Sequence, residues 1–310
     1  MPQAQPERSK DTVVITGAFS YTGRYVAQIL LRSGYQVRTL TSHPNRPNPF
    51  KGTVEVFPFN FEEPEKLRTS LRGASALVNS YWVRFNHGKS TFEAAVKNTR
   101  VLITAAREAG IKRVVHVSIA NPSIESPLGY YRGKAQLERE IRESGLSHAI
   151  LRPTVIFGLE DVLINNIAWF ARHFPVFVVP GNGRYKIQPI FVGDMAELIA
   201  ALIERNDNCV LDAVGPETFT FDELVTLISK AVDRQPRLFH LPAAVAYLTT
   251  RLAGFFVHDV VLTWQEYRGL MSNLLVSDRE PAGETLLSRW VYENRSRLGV
   301  QYASEVARHF

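Results

Sequence analysis

The chain has 310 residues, 45% hydrophobic and 21% charged, which is ordinary globular composition with ample apolar material for a large core. Its net charge of +6 arises from 36 basic residues scattered among 30 acidic ones; without a Lys/Arg block, nucleic acid is not an expected partner. Cys209 is the only cysteine, which excludes intrachain disulfides and cysteine metal sites and fits a reducing cytoplasm; the eight histidines show no metal-ligand spacing, so no metal is expected.

In chain order, Met1–Lys10 is polar and reads as a loose tail rather than a signal peptide. Thr12–Thr16 is a β-branched run, expected as a buried strand, and Thr22–Arg32 is a helix with Val26, Ile29 and Leu30 at helical spacing. Strands are expected at Tyr35–Thr41, Val54–Phe59, Ala76–Asn79, Arg113–Ser118 and His148–Leu151. Between them fall helices at Pro64–Leu71, from Phe92 to near Gly110, and Tyr131–Glu143. Strands alternating with helices imply βαβ units, hence a doubly wound parallel, Rossmann-like α/β sheet.

After Arg152-Pro153 the regularity loosens. Pro180-Gly181-Asn182-Gly183 signals a turn, Phe191–Ile203 reads as strand end and helix, and Phe221–Val232 as a helix with Asp222 and Glu223 in its first turn. The rest is mostly helical. We therefore expect a dinucleotide-binding region over residues 11–160 and a smaller, mostly helical substrate and capping region over 161–310, interleaved with it. Leu241–Val257 is apolar, interrupted by Arg251. It suits a membrane surface, a partner helix, or a cap on the core, and no stretch reaches the roughly 20 apolar residues needed to cross a bilayer.

Between the first strand and helix lies Thr16-Gly17-Ala18-Phe19-Ser20-Tyr21-Thr22-Gly23. Gly17 permits a tight turn out of the strand, and Gly23 a close approach of helix to sheet. Backbone N–H groups of Ser20, Tyr21 and Thr22 would point at a diphosphate at the positive end of the helix. Ser20 stands where such turns usually carry a third glycine; its hydroxyl is a further donor. The second strand runs out into Ser42-His43-Pro44-Asn45-Arg46, with no acid for ribose hydroxyls. Ser42, His43 and Arg46 suit a 2′-phosphate, which favours NADP(H) over NAD(H).

Tyr130 and Lys134 are four residues apart on one helix, in line with Leu137 and Ile141. A phenol titrates near pH 10 unaided, and a neighbouring ammonium lowers that value. Tyr130 could then exchange a proton with a substrate hydroxyl or carbonyl while hydride moves at the nicotinamide.

The chain resembles the short-chain dehydrogenase/reductases, most closely their atypical extended branch. That branch includes epimerase/dehydratase relatives, NmrA-like proteins and the accessory subunit of respiratory complex I. The matching segments are Val14–Arg24, Val114–Ser118, Tyr130–Glu138, Leu151–Gly158 and Phe191–Ala196. The resemblance implies that Asn60 and Phe61 contact adenine, and that Asn79, Ser80 and Tyr81 lie beside the cofactor ribose. It also implies that Lys134 binds the nicotinamide ribose, that Pro153 and Thr154 line the nicotinamide pocket, and that Ser118 ends its strand nearby. The catalytic serine of the family falls on Ile119, which donates no hydrogen bond; Ser118 or Ser123 would have to substitute. Three functions are compatible: an oxidoreductase acting on a carbonyl or alcohol through Tyr130, Lys134 and Ser118; a non-catalytic NADP(H)-binding sensor or assembly protein; and an NAD-dependent nucleotide-sugar epimerase or dehydratase.

Overall fold

The computed structural model describes residues 10–304. Of the expected tail, Lys10 belongs to the first strand and the remainder lies outside the described residues. The chain runs β1 (Lys10–Thr16), α1 (Tyr21–Arg32), β2 (Tyr35–Thr41), β3 (Val54–Pro58), α2 (Pro64–Leu71), β4 (Ala74–Asn79), α3 (Phe92–Glu108), β5 (Arg113–Val117), α4 (Gly129–Glu143) and β6 (Ser147–Pro153). It continues with β7 (Ile156–Phe157), α5 (Leu163–His173), β8 (Val176–Pro180), β9 (Lys186–Ile187), β10 (Ile190–Phe191), α6 (Val192–Ile203), β11 (Cys209–Ala213), β12 (Phe219–Thr220) and α7 (Phe221–Ala231). β13 (Arg237–Leu241), α8 (Ala243–Val257), α9 (Trp264–Met271) and α10 (Leu287–Glu293) complete it.

Seven strands form one sheet in the order β11-β6-β5-β4-β1-β2-β3. The pairings that join β3 through to β6 are all parallel. This is the doubly wound topology that strand–helix alternation predicts, and the order reverses between β1 and β4. Val13, Val14 and Ile15 are fully buried, as a central strand covered on both faces requires. On one face Val14, Leu40, Leu77, Val114 and Ile150 pack with Leu67 and Leu71 of α2, Leu102 and Ile103 of α3, and Ile141 of α4. Each helix thus buries the stripe that its 3.6-residue period supplies.

Two compact units divide the chain. The first comprises the residues through Ser118 with Gly133–Leu151 and Ala196–Leu211; the second comprises Ile119–Arg132, Arg152–Met195 and the residues from Asp212 onward. The second has its own core, where Phe177, Val179, Phe221, Leu224, Ile228 and Trp290 meet side chains of α5 and α7. Within it β13 pairs in parallel with β8. Capping boxes start α7 (Thr220, Glu223) and α9 (Thr263, Glu266).

Candidate cofactor site

The first unit carries a glycine-bearing cradle at the exit of β1. Gly17 has φ of +73°, a conformation that favours glycine, and its N–H donates to Leu40 O at 2.8 Å. Gly23, in the first turn of α1, is more tightly constrained: a Cβ there would lie 2.1 Å from Gly17 O. Only glycine lets α1 approach the turn so closely. Ser20 is the N-cap of α1, but its hydroxyl donates to Gly17 O at 2.6 Å and so closes the turn itself. The backbone N–H groups of the first turn of α1 remain at its positive end, with no acidic side chain in that turn to compete for them. These residues fit the diphosphate of a dinucleotide.

The carboxyl ends of β1 and β4 are laced together beside this cradle. Thr16 Oγ1 accepts from Ser80 N at 2.7 Å, and Ser80 Oγ donates to Thr16 O at 2.6 Å. Asn79, fully buried, uses Oδ1 to accept from Tyr81 N (3.1 Å) and Thr16 Oγ1 (3.3 Å). Its Nδ2 is thereby left to face His116 Nδ1 at 3.1 Å, which places the imidazole proton on Nε2. Burial, then the charge of Lys134, pushes the His116 pKa well below its ordinary value, so the ring is neutral. His116 Nε2 has no hydrogen-bond partner among the described residues.

Nearby in the same unit, Phe59, Phe61 and Tyr81 form an aromatic cluster with ring centroids 4.7–5.0 Å apart, and the Tyr81 hydroxyl accepts from Asn98 Nδ2 at 2.9 Å. Asn60 has φ of +47°, a turn that asparagine tolerates better than most residues, and its carbonyl accepts from Glu63 N. After β2, His43 N donates to Thr41 Oγ1 and Arg46 N to His43 O, so a turn carries Ser42, His43 and the exposed Arg46 at the end of the strand.

Lys134 is a deeply buried cation of the first unit. It is 2% exposed, and its Nζ donates to Val117 O at 2.7 Å and sits 4.6 Å from the centroid of the Trp82 ring. Burial lowers its pKa from 10.5 to about 7, partly opposed by the Glu138 carboxylate. Trp82 stacks on Phe92 and comes so close to α4 that a Cβ on Gly133 would be 2.8 Å from the indole. Ser118, 3% exposed, donates its hydroxyl to Glu138 Oε1 at 2.6 Å, and Glu138 is equally buried. The Ser118 hydroxyl is therefore already committed within the fold.

The remaining expected site residues belong to the second unit. Tyr130 is half-buried and packs against the cluster of Ile119, Leu128 and Tyr131. Tyr131, the neighbouring phenol, is 6% exposed, lies against Gly269 of α9, and titrates well above its ordinary value through burial and the Glu266 charge. Pro153 O accepts from Ala120 N, and Thr154 Oγ1 donates to Gln188 O. The partners His116 and Glu138 were not identified as site residues from sequence. Glu138 lay within a matching segment, one turn after Lys134, and its i+4 spacing was the available signal.

Comparison with known proteins agrees with this geometry. Residues 17–161 match the NAD(P)H-binding family model. The chain is 25% identical over 283 residues to NADH dehydrogenase (ubiquinone) 1 alpha subcomplex subunit 9 of Arabidopsis thaliana mitochondria, covering 85% of this chain and 70% of that one. Across four such subunits the alignments span 60–71% of the relative's length. The photosystem II assembly factor Ycf39 of Cyanidium caldarium is 22% identical, with 79% of each chain covered. Among solved structures, the Citrobacter triphenylmethane reductase complexed with NADP(H) superposes with a TM-score of 0.70 at 19% identity, over 92% of this chain and 99% of that one. A Staphylococcus aureus nucleoside-diphosphate-sugar epimerase gives 0.71 at 14% identity, over 91% and 99%. With its glycine turn and doubly wound sheet, the chain has a Rossmann-like α/β fold with an NAD(P)H-binding segment, consistent with an atypical extended short-chain dehydrogenase/reductase.

Proposed function

We propose that the chain is an NADP(H)-binding accessory or assembly protein whose oxidoreductase site serves to hold the cofactor rather than to turn over a substrate. One observation carries this reading. At the exit of β5, the only hydroxyl is tied to Glu138 at 2.6 Å and the next residue is Ile119, so the position lacks a free donor for a substrate oxygen. The relatives named as complex I subunits and as a photosystem assembly factor support it.

In this reading Gly17 and Gly23 admit the diphosphate to the N–H groups of Tyr21 and Thr22; the Ser20 N–H, expected to join them, donates instead to Gly17 O at 2.9 Å. Ser42, His43 and Arg46 receive the 2′-phosphate, Asn60 and Phe61 flank the adenine, and Asn79, Ser80 and Tyr81 border the ribose. Lys134 donates to the nicotinamide ribose, and Pro153 and Thr154 border the ring. The nicotinamide, when bound, supplies hydride exchange. A second reading, reduction of a carbonyl or oxidation of an alcohol, is favoured by one feature: α4 carries Tyr130 and Lys134 at i and i+4.

The test is a titration of purified protein with NADPH and NADH, joined to a turnover assay on a broad carbonyl panel. The expected outcome is binding of NADPH at least roughly tenfold tighter than NADH, about 1.4 kcal/mol, with no turnover. Turnover that Tyr130→Phe abolishes would establish the reductase instead. Tightly retained NAD, identified by absorbance and mass, would point to an epimerase.

A further inference from the structure

A helix packed on a protein turns its apolar stripe to the core and its polar residues to water. Helix α8 does the reverse. Its inward side is small and polar: Ala246 and Gly254 are buried, and the Tyr267 hydroxyl of α9 meets Ala246 O and Thr250 Oγ1 at 3.3 Å. Its outward side carries Val245, Leu248, Leu252 and Phe255, which are 46, 59, 58 and 79% exposed. Steps of three, four and three residues align them on one stripe. Single exposed apolar residues need no explanation, but a contiguous stripe marks an interaction surface.

Charge indicates what covers it. α8 contains no carboxylate, and its one charged residue, Arg251, is exposed. From Arg234 to Leu275 the exposed formal charges are all cationic: Arg234, Arg237, Arg251 and Arg268. The two acids of that segment are engaged inside the fold. Asp259 is 9% exposed, and Glu266 caps α9 through Thr263 N and Oγ1 at 2.8 and 2.9 Å. Trp264, at the first position of α9, is 40% exposed. An apolar stripe accompanied by arginines and an exposed indole, without acids, is the composition of an interfacial helix. A specific partner helix would be selected by flanking charges of both signs or a polar residue within the seam, and α8 has neither. Antiparallel pairing of two copies about the middle of the stripe would bring Arg251 close to Arg251. Among the described residues no helix is long and apolar enough to cross a membrane, so the contact is a surface one.

We propose that α8 docks along the surface of a bilayer rich in anionic phospholipid, with Val245, Leu248, Leu252 and Phe255 entering the acyl boundary and Arg251 reaching the headgroups. This inference stands independently of the cofactor reading. The test is co-sedimentation of the full chain with phosphatidylcholine vesicles, with and without phosphatidylglycerol. Binding is expected only with phosphatidylglycerol, and it should weaken with added salt. The double substitution Leu248→Glu/Phe255→Glu should lower the partition coefficient more than tenfold, and Arg251→Gln about fivefold. All of these positions are exposed, so the circular dichroism spectrum and melting temperature should match those of the unsubstituted chain. Absence of vesicle binding, equal binding to neutral vesicles, or binding that survives the double substitution each overturns the proposal. A dimer that the double substitution dissociates, without vesicle binding, would assign the stripe to a second copy.

Discussion

The exits of β1 and β5 lie at the carboxyl edge of one sheet, yet they depart from the ordinary pattern with opposite consequences. At β1 Ser20 stands where a third glycine is usual, and in the proposed reading the cradle survives, because the donors that would meet a diphosphate are backbone N–H groups of the first turn of α1. The Ser20 hydroxyl simply folds back onto Gly17 O. At β5 the chemistry rests on a side-chain hydroxyl. Ile119 offers none, and Ser118 is engaged with Glu138, so in the proposed reading this exit lacks a free donor. A site made of backbone tolerates a change of side chain; a site made of one side chain does not.

The largest effect should come from closing the cradle at β1. Gly23→Ala places a methyl 2.1 Å from the backbone carbonyl of Gly17, and neither group can rotate away. We expect a stability loss of about 3 kcal/mol in denaturant unfolding and a fall in NADPH affinity on the order of 100-fold by calorimetric titration. Unchanged affinity in this variant would show that the diphosphate is held elsewhere, and the contrast between the two strand exits would collapse.

Next in size is the pH response of the β5 side. Lys134 titrates at about 7 in the fold and at 10.5 when unperturbed. Its folded pKa is the lower of the two, so between these values the unfolded chain binds more protons and stability rises with pH. The cost of burying the ammonium is complete below pH 7 and is relieved progressively above it. The slope contributed is at most about 1.4 kcal/mol per pH unit. Lys134→Met should remove that slope, and its NADPH affinity should fall roughly tenfold through loss of the ammonium donor. Parallel stability curves for the two proteins from pH 6 to 10 would refute the burial argument.

The same contrast governs what could be read from sequence. The β1 turn was legible because Gly17, Gly23 and the β-branched run before them act through local backbone geometry. The strands and helices of the first 150 residues fell within two residues of expectation for the same reason. The β5 exit was legible only in part. Ile119 was visible, but the Ser118–Glu138 bond and the position of Trp82 over Lys134 are contacts between side chains on different elements. The strands β8 and β13 escaped notice too, because they pair in parallel across the intervening α7 and are too short to show a period. β11, at the edge of the large sheet, has a mixed burial pattern with no clean alternation.

The smallest effect separates a structural Ser118 from a functional one. Glu138→Gln keeps an amide oxygen able to accept from Ser118 but removes the charge that strengthens the bond. It also removes the pairing with Arg142, which spans 3.2 Å to a largely exposed guanidinium and contributes little. The expected cost is about 1 kcal/mol of stability. NADPH affinity should stay within about twofold of the unsubstituted chain, under 0.5 kcal/mol, since neither Ser118 nor Glu138 holds the cofactor in the proposed reading. Glu138 also raises the Lys134 pKa, so its neutral replacement should move the Lys134 midpoint further down, readable as an earlier onset of the rise in stability with pH. An affinity change of tenfold, or turnover appearing when the Ser118 hydroxyl is less firmly held, would place Ser118 back among the working groups and make the β5 exit a latent site rather than a closed one.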